Sequence, residues 1–385
     1  MIYLDHAATT PIDARVLDAM LPWLKEGYGH PFSLYVIGRE ARHAVERARE
    51  RLAAFIGARA TEIVFTSSGT ESCNLALKGA AEHLRRKGHH IVSTAIEHQA
   101  ALKACEALER RGFEVTRVKP DEDGLVHPDA VRAAIRPDTI LINVMHANNE
   151  TGVIQPIAEI GAMAREHGIV FHTDAAMSVG WIPIDVEKLN VDLLSLSAHK
   201  FYGPKGIGAL YVRRGCRLQA LIDGGGQERN RRSGTENVAG IVGLAQACEC
   251  AEEAFRRGEP ERLRTMRDAL ERGIRERVPN VLINGHPTRR LPHCLNLSVM
   301  GIEGEAVMLE LDRAGICVST GSACSSGSLD PSHVLLSMGR SIPLARGSLR
   351  FTFGRDNTLG EVEQVLDVLP RIVAQLRALS PVSEW

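Results

Sequence analysis

Two stretches, IVFHTDAAM (169–177) and VDLLSLSAHKFYGPKG (191–206), decide how the chain is read. Each begins as a continuous apolar run and ends on a side chain that an apolar strand does not need, Asp174 in the first and Lys200 in the second. Runs of this kind mark strands buried on both faces, as in a parallel sheet covered by helices. An acid emerging from such a strand must be paired or lose its charge to desolvation. A cationic ring nitrogen is a fitting partner; the bland alternative is a cap on the following helix. A lone lysine after a strand is ordinarily a surface residue. The S-x-H-K-x-x-G-P-K-G context is uncommon, however, and favours Lys200 over Lys205 as an amine that forms a Schiff base with an aldehyde cofactor.

Outward from these stretches, short β-rich runs alternate with helical periodicity. Strands are expected at Glu62–Phe65, His90–Thr94, Phe113–Val118, Thr139–Met145, Ile169–Thr173 and Val191–Leu196, with a hairpin-like piece at Ile207–Val212. Over Arg39–Ile56, Ala41, Val45, Ala48, Leu52 and Phe55 recur at helical spacing and Gly57 ends the run. The alternation predicts an α/β fold with a mainly parallel sheet, whose ligands sit at the carboxyl ends of the strands. After about Arg257 the texture changes: a charged run precedes strands at Cys294–Val299, Ile316–Ser319 and Leu349–Phe353 and helices near Glu303–Ala314 and Leu359–Ala378. Thr358 and Glu361 have capping-box spacing for the last helix. The expected division is a large domain over 14–257 and a smaller α/β domain made of 1–13 and 258–385.

Three more strand ends carry polar groups. Phe65-Thr-Ser-Ser-Gly-Thr70 is a strand, a small-residue turn and a helix start, which aims backbone N–H groups and a positive helix end at an anion, although ordinary N-caps look alike. His98 closes Ala95-Ile-Glu-His and Asn149 lies in Asn148-Asn-Glu150. One histidine among 15 is by default a satisfied core or surface residue; in this company it can stack on a ring and move protons. In TGSACSSGS (320–328), Cys324 sits in a polar loop where an exposed thiol is expected, unlike Cys317 and Cys294 with their apolar neighbours.

A formal net charge of −1 gives no electrostatic case for nucleic acid or an anionic membrane. Eight cysteines without CxxC pairs suggest neither a zinc ribbon nor a disulfide framework, and no metal-ligand motif appears. MIYLDHAATT has no leader character and no segment approaches the length of a membrane span, and with cysteines that form no disulfide framework a reduced cytoplasm is the expected compartment.

Together these motifs resemble the pyridoxal-phosphate-dependent cysteine desulfurases, the NifS/IscS-like group of the class-V aminotransferase superfamily. The likeness runs from Tyr3-Leu-Asp-His-Ala-Ala-Thr-Thr-Pro11 to Leu379-Ser-Pro-Val382 and is most specific in SAHKFYGPKG and TGSACSSGSLDPSHVL. It implies a fold-type I enzyme, a homodimer with a mainly parallel seven-stranded sheet, that moves sulfur from L-cysteine onto Cys324. On that pattern Lys200 carries the cofactor and Asp174 binds its ring nitrogen, while His98 stacks over the ring. Gly69, Thr70, Ser197 and His199 hold the phosphate, with Thr235 reaching it from the partner subunit. Asn149 lies near the ring oxygen and the substrate carboxylate, and Arg350 grips that carboxylate; the plain alternative for Arg350 is a surface residue paired with Asp356 or a neighbour. Delivery to an iron–sulfur scaffold or another sulfur acceptor is implied as well. Three departures stand out. Met177 replaces a glutamine, Gly29-His30-Pro-Phe-Ser-Leu-Tyr35 replaces a pattern lining the substrate side, and Ser68-Gly69-Thr70 modifies the phosphate turn. Rival readings are selenocysteine lyase, another β-lyase or an aminotransferase using the same cofactor, or a non-catalytic assembly partner.

Overall fold

The structure, a computed structural model, describes residues 1–320 and 330–379. Cys324 lies outside the described residues. In chain order the strands are β1 Ile2–Tyr3, β2 Ile63–Thr66, β3 His90–Thr94, β4 Glu114–Val118, β5 Thr139–Asn143, β6 Val170–Asp174, β7 Leu193–Ser197, β8 Gly208–Val212, β9 Val281–Asn284, β10 Cys294–Val299, β11 Ile316–Cys317 and β12 Ser348–Thr352.

Seven of them form one sheet in the order β2-β8-β7-β6-β5-β3-β4. Neighbours from β4 through β7 pair in parallel, and β8 is antiparallel to both β7 and β2. The reversal follows from chain length: residues 198–207 link β7 to β8, too short a piece for the dozen or more residues that a parallel crossover needs. Because β2 is antiparallel to β8, its carboxyl end falls on the same rim as those of β3, β5, β6 and β7. The expected strands lie within a residue or two of the observed ones; β1 and β9 were not anticipated. Helix Val36–Ile56 buries Ala41, Val45, Ala48 and Leu52 on one face. It stops at Gly57, whose φ of +73° suits glycine and whose N–H returns to Ala53 and Ala54.

A second hydrophobic cluster gathers Leu263, Leu270, Leu295, Leu297, Leu349 and Phe351 around the antiparallel sheet β12-β10-β9, and Ile2 and Leu4 bury within it. β1 pairs in parallel with β11, and Leu4 bonds Cys317 and Thr352 through its backbone. Val334, Leu335, Met338 and Ala345, late in the chain, pack instead with the core of the large sheet. Helix Leu359–Leu379 opens with the capping box its sequence announces: Glu361 accepts from Thr358 N–H at 2.9 Å and returns its own N–H to Thr358 Oγ1 at 3.3 Å. Among the described residues no helix is long and apolar enough to cross a membrane, and no cluster of His, Cys, Asp and Glu has metal-holding geometry.

Candidate active site

The rim of the large sheet and the edge of the small one enclose a cavity of about 240 Å³. Asp174 ends β6 and enters the cavity wall together with Met177, three residues on. Its Oδ1 accepts the Ala176 N–H at 2.9 Å and so holds a turn, not the helix cap of the bland alternative, since among the described residues no helix follows before β7. Lys200 ends the short turn Ala198–Lys200 after β7, and its backbone carbonyl is clamped by Trp181 Nε1 at 2.9 Å. Its Nζ donates to the carbonyls of Ala7 and Ala8 at 2.6 and 2.9 Å. The amine is thus held at the cavity wall by the chain's first residues.

Ser68 caps helix Gly69–Leu84, accepting from Glu71 N–H at 3.2 Å, and the cavity is lined by Ser68, Gly69 and Thr70. Gly69 faces Ser197 across this corner, where an added Cβ would stand 3.4 Å from Ser197 Cβ, an ordinary contact distance. Ser197 and His199 line the same corner. Burial, reinforced by Lys200 and Lys205, pushes His199 down to about 4, leaving it neutral, and its Nδ1 meets Thr9 Oγ1 at 3.1 Å.

His98 caps the helix Gln99–Glu109: its Nδ1 accepts from Ala100 N–H at 3.1 Å. Burial lowers its pKa against the pull of Asp174, with Lys200 and His333 adding to the fall. With Nδ1 occupied as an acceptor, the neutral ring carries its proton on Nε2. Asn149 lines the cavity beside Met145 and Ala147, and its buried Oδ1 has no hydrogen-bond partner among the described residues.

Arg350, on β12, is 1% exposed. It pairs with Asp5 Oδ1 at 2.9 Å, donates to the Asn149 carbonyl at 2.8 Å and lines the cavity, so it is not the surface residue of the plain alternative. Asp5 and the Ala7 carbonyl were missed because their positions depend on contacts between the chain's first residues and β12, where Asp5 bridges Thr352 and the Ala7 N–H donates to Thr352 Oγ1, and Trp181 because its indole reaches Lys200 from a separate loop. Two other expected residues are not brought to this cavity by their own chain. Thr235 lines a separate cleft with Ser67 and Gly206, and His30 is exposed, its Nδ1 accepting from Phe32 N–H at 3.2 Å.

The donor set suits a phosphorylated aromatic aldehyde: helix N–H groups for the anion, a carboxylate for a ring nitrogen, an amine for the carbonyl, and an unsatisfied buried amide oxygen beside them. A family model for class-V aminotransferases matches residues 2–365. A cysteine desulfurase IscS of Dictyoglomus turgidum is 52% identical over 385 residues, spanning 100% of this chain and 98% of that one. Another IscS, from Methanosarcina thermophila, is 51% identical, covering 99% and 94%. Among solved structures, a NifS-like protein superposes with a TM-score of 0.91 at 37% identity over 97% of this chain and all of that one. SspA in complex with cysteine gives 0.80 at 39% identity, covering 92% and 99%. On these grounds the chain belongs to the class-V aminotransferase family.

Proposed function

We propose that this chain is a cysteine desulfurase that uses pyridoxal phosphate to move the sulfur of L-cysteine onto Cys324, releasing L-alanine. The observation that carries the reading is the convergence of Lys200, Asp174, His98 and Arg350 on one cavity. When bound, pyridoxal phosphate supplies an electrophilic carbon for amines and a sink for carbanionic charge. Helix Gly69–Leu84 would hold its phosphate with Thr70, Ser197 and His199, and Asp174 its ring nitrogen. Arg350 takes the substrate carboxylate through its planar guanidinium. Lys200 Nζ removes the α-proton, and the neutral His98, protonated on Nε2, is placed to exchange protons at the substrate. The Cys324 thiolate attacks the substrate sulfur. The carbon–sulfur bond breaks as the sulfur–sulfur bond forms, and its electron pair stays with the three-carbon product, which takes up protons. Cysteine and a thiol become alanine and a persulfide with no external oxidant.

Several described residues support a role for the segment bearing Cys324. Ser319, just before it, exchanges backbone hydrogen bonds with Arg350 at 3.2 and 2.7 Å. Just after it, Ser332 bonds the Glu150 carboxylate and His333 bonds the Glu97 carbonyl at 3.0 Å. We read the protein as a cytoplasmic homodimer. Tyr28, Phe32, Leu34, Tyr35 and Val36 form an exposed apolar run suited to a second copy, with Leu34 86% exposed. In such a dimer Thr235 and His30 would serve the partner's cavity. The sulfur acceptor we infer is an iron–sulfur scaffold or a similar protein.

The test is direct. Holoenzyme given L-cysteine should yield alanine and a Cys324 peptide heavier by one sulfur, and borohydride should fix the cofactor to Lys200. Cys324→Ala should keep the visible cofactor band and lose persulfide. Normal sulfide release by that variant would remove Cys324 from the mechanism, and a borohydride-treated Lys200 peptide of unchanged mass would sink the reading.

A further inference from the structure

Beneath the cavity floor a chain of fully buried polar side chains runs away from Asp174, and the catalytic steps above leave it without a task. Cys73, on helix Gly69–Leu84, donates from Sγ to Asp174 Oδ2 at 3.4 Å. Ser195 of β7 neighbours the same thiol and acts on its protonation. His172 of β6 bonds Ser195 Oγ through Nε2 at 2.9 Å and Asn143 Oδ1 through Nδ1 at 2.6 Å. Asn143 Nδ2 in turn donates to Ser93 Oγ at 2.9 Å.

Proton counting fixes the direction of this chain. The Asn143 amide nitrogen is committed to Ser93, so its oxygen faces His172 and must accept from Nδ1–H. Burial pushes His172 down to about 4, so the ring is neutral and Nε2 is an acceptor. Ser195 therefore gives its hydroxyl proton to His172. The remaining strong acceptor beside Cys73 is the Asp174 carboxylate, and the thiol proton goes there. Burial first, and then Asp174, raise the Cys73 pKa well above the usual thiol range, so it stays a donor. The titratable groups facing Asp174 are Cys73 from the helix, Glu97 and His98 from beyond β3, and His172 on its own strand, while Lys200 lines the same cavity.

We propose that Cys73 is a positioning residue for Asp174: its thiol donates to Oδ2, stabilising the ionised carboxylate so that the proton shared with the cofactor's ring nitrogen stays on the ring. A hydrogen bond to the charged form of an acid favours that form. Ala176 N–H on Oδ1 and Cys73 on Oδ2 occupy one lone pair of each oxygen and fix the carboxylate's rotation. The inference rests on the cofactor reading and assigns to a buried cysteine, distinct from Cys324, a part in tuning it.

The experiment uses holoenzyme carrying pyridoxal phosphate labelled with nitrogen-15 in the ring. In the parent protein the ring-nitrogen resonance should be that of a protonated ring. Cys73→Ala should move it toward the unprotonated position and speed cofactor loss into dialysis about fivefold, the scale of one modest hydrogen bond. Cys73→Ser retains a donor and should restore both. An unmoved resonance in Cys73→Ala, or equal displacement in Cys73→Ala and Cys73→Ser, would overturn the proposal, since a packing role alone predicts one or the other. A parent protein that retains no cofactor would instead defeat the underlying reading, and the two failures are thereby told apart.

Discussion

The two walls of the cavity are built differently. One is the rim of the large sheet, where Asp174, Lys200, His98 and the Gly69 turn each follow a strand whose backbone is fixed by its neighbours. The other wall joins the ends of the chain: Asp5 bridges Thr352, His6 Nδ1 meets the Thr352 carbonyl at 2.9 Å, and Arg350 pairs with Asp5. On the proposed function the rim would hold the cofactor, and the guanidinium of the opposite wall would take the substrate carboxylate. Cofactor retention and substrate grip should therefore be separable by mutation.

Arg350→Ala is the strongest way to break that division. Losing a charge-assisted pair should lower kcat/KM for cysteine about a hundredfold, while the visible cofactor band persists. Loss of the band along with the activity would mean that the walls act as one. Arg350→Lys should recover only part of the loss, because an ammonium cannot make two parallel bonds.

The seam between the walls carries two buried acids. Burial pushes Glu97 up to about 8 and Glu150 up to about 7. Ser332 and His333 dock at these acids, through the Glu150 carboxyl and the Glu97 backbone. A carboxyl raised on folding binds more protons in the folded state. Its contribution is fully present below the ordinary value near 4.5 and is lost as pH rises through about 7 for Glu150 and about 8 for Glu97. Glu97→Gln and Glu150→Gln should therefore gain on the parent between pH 5 and pH 8, by about 1–3 kcal/mol at the upper end. Denaturant titrations at the two pH values check this, and a difference independent of pH would refute it.

The rim was legible in the sequence because a parallel strand and the residue that follows it are one local signal: an apolar run, then a polar group. That is why Asp174, Lys200, His98 and Asn149 could be named from their flanking residues. The opposite wall has no such signal. Arg350 was named only through the family resemblance, and Asp5 is an ordinary charged residue until β1 pairs with β11 and Asp5 meets Thr352, contacts spanning nearly the whole chain. β9 escaped for a different reason: VLIN is a short run with three half-buried residues, which periodicity does not separate from a loop. Cys73 carries no local signal of its role, since its neighbour Asp174 is about a hundred positions away in the chain.

Asp5→Asn tests whether the second wall works by charge or by shape. Asparagine keeps the size of the side chain and can still accept from Arg350, but it no longer holds the guanidinium by charge. KM for cysteine should rise about tenfold or less with kcat little changed, the pattern of a lost binding contact. An equal fall in kcat would place Asp5 in the chemical step.

The smallest effect should come from Met177→Gln, at the point where the two walls meet. Met177 lines the cavity and packs with Ala7, Ala147, Leu291 and Cys294, so its thioether faces an apolar set. A glutamine there buries an amide among those groups and should cost about 1 kcal/mol in protein free of cofactor. With pyridoxal phosphate bound, the amide gains a ring oxygen as partner and most of that cost should vanish. Melting temperatures measured with and without cofactor then differ more for the variant than for the parent. If the variant is destabilised equally in both states, residue 177 faces the apolar cluster rather than the ring, and the rim supplies the cofactor's contacts without it.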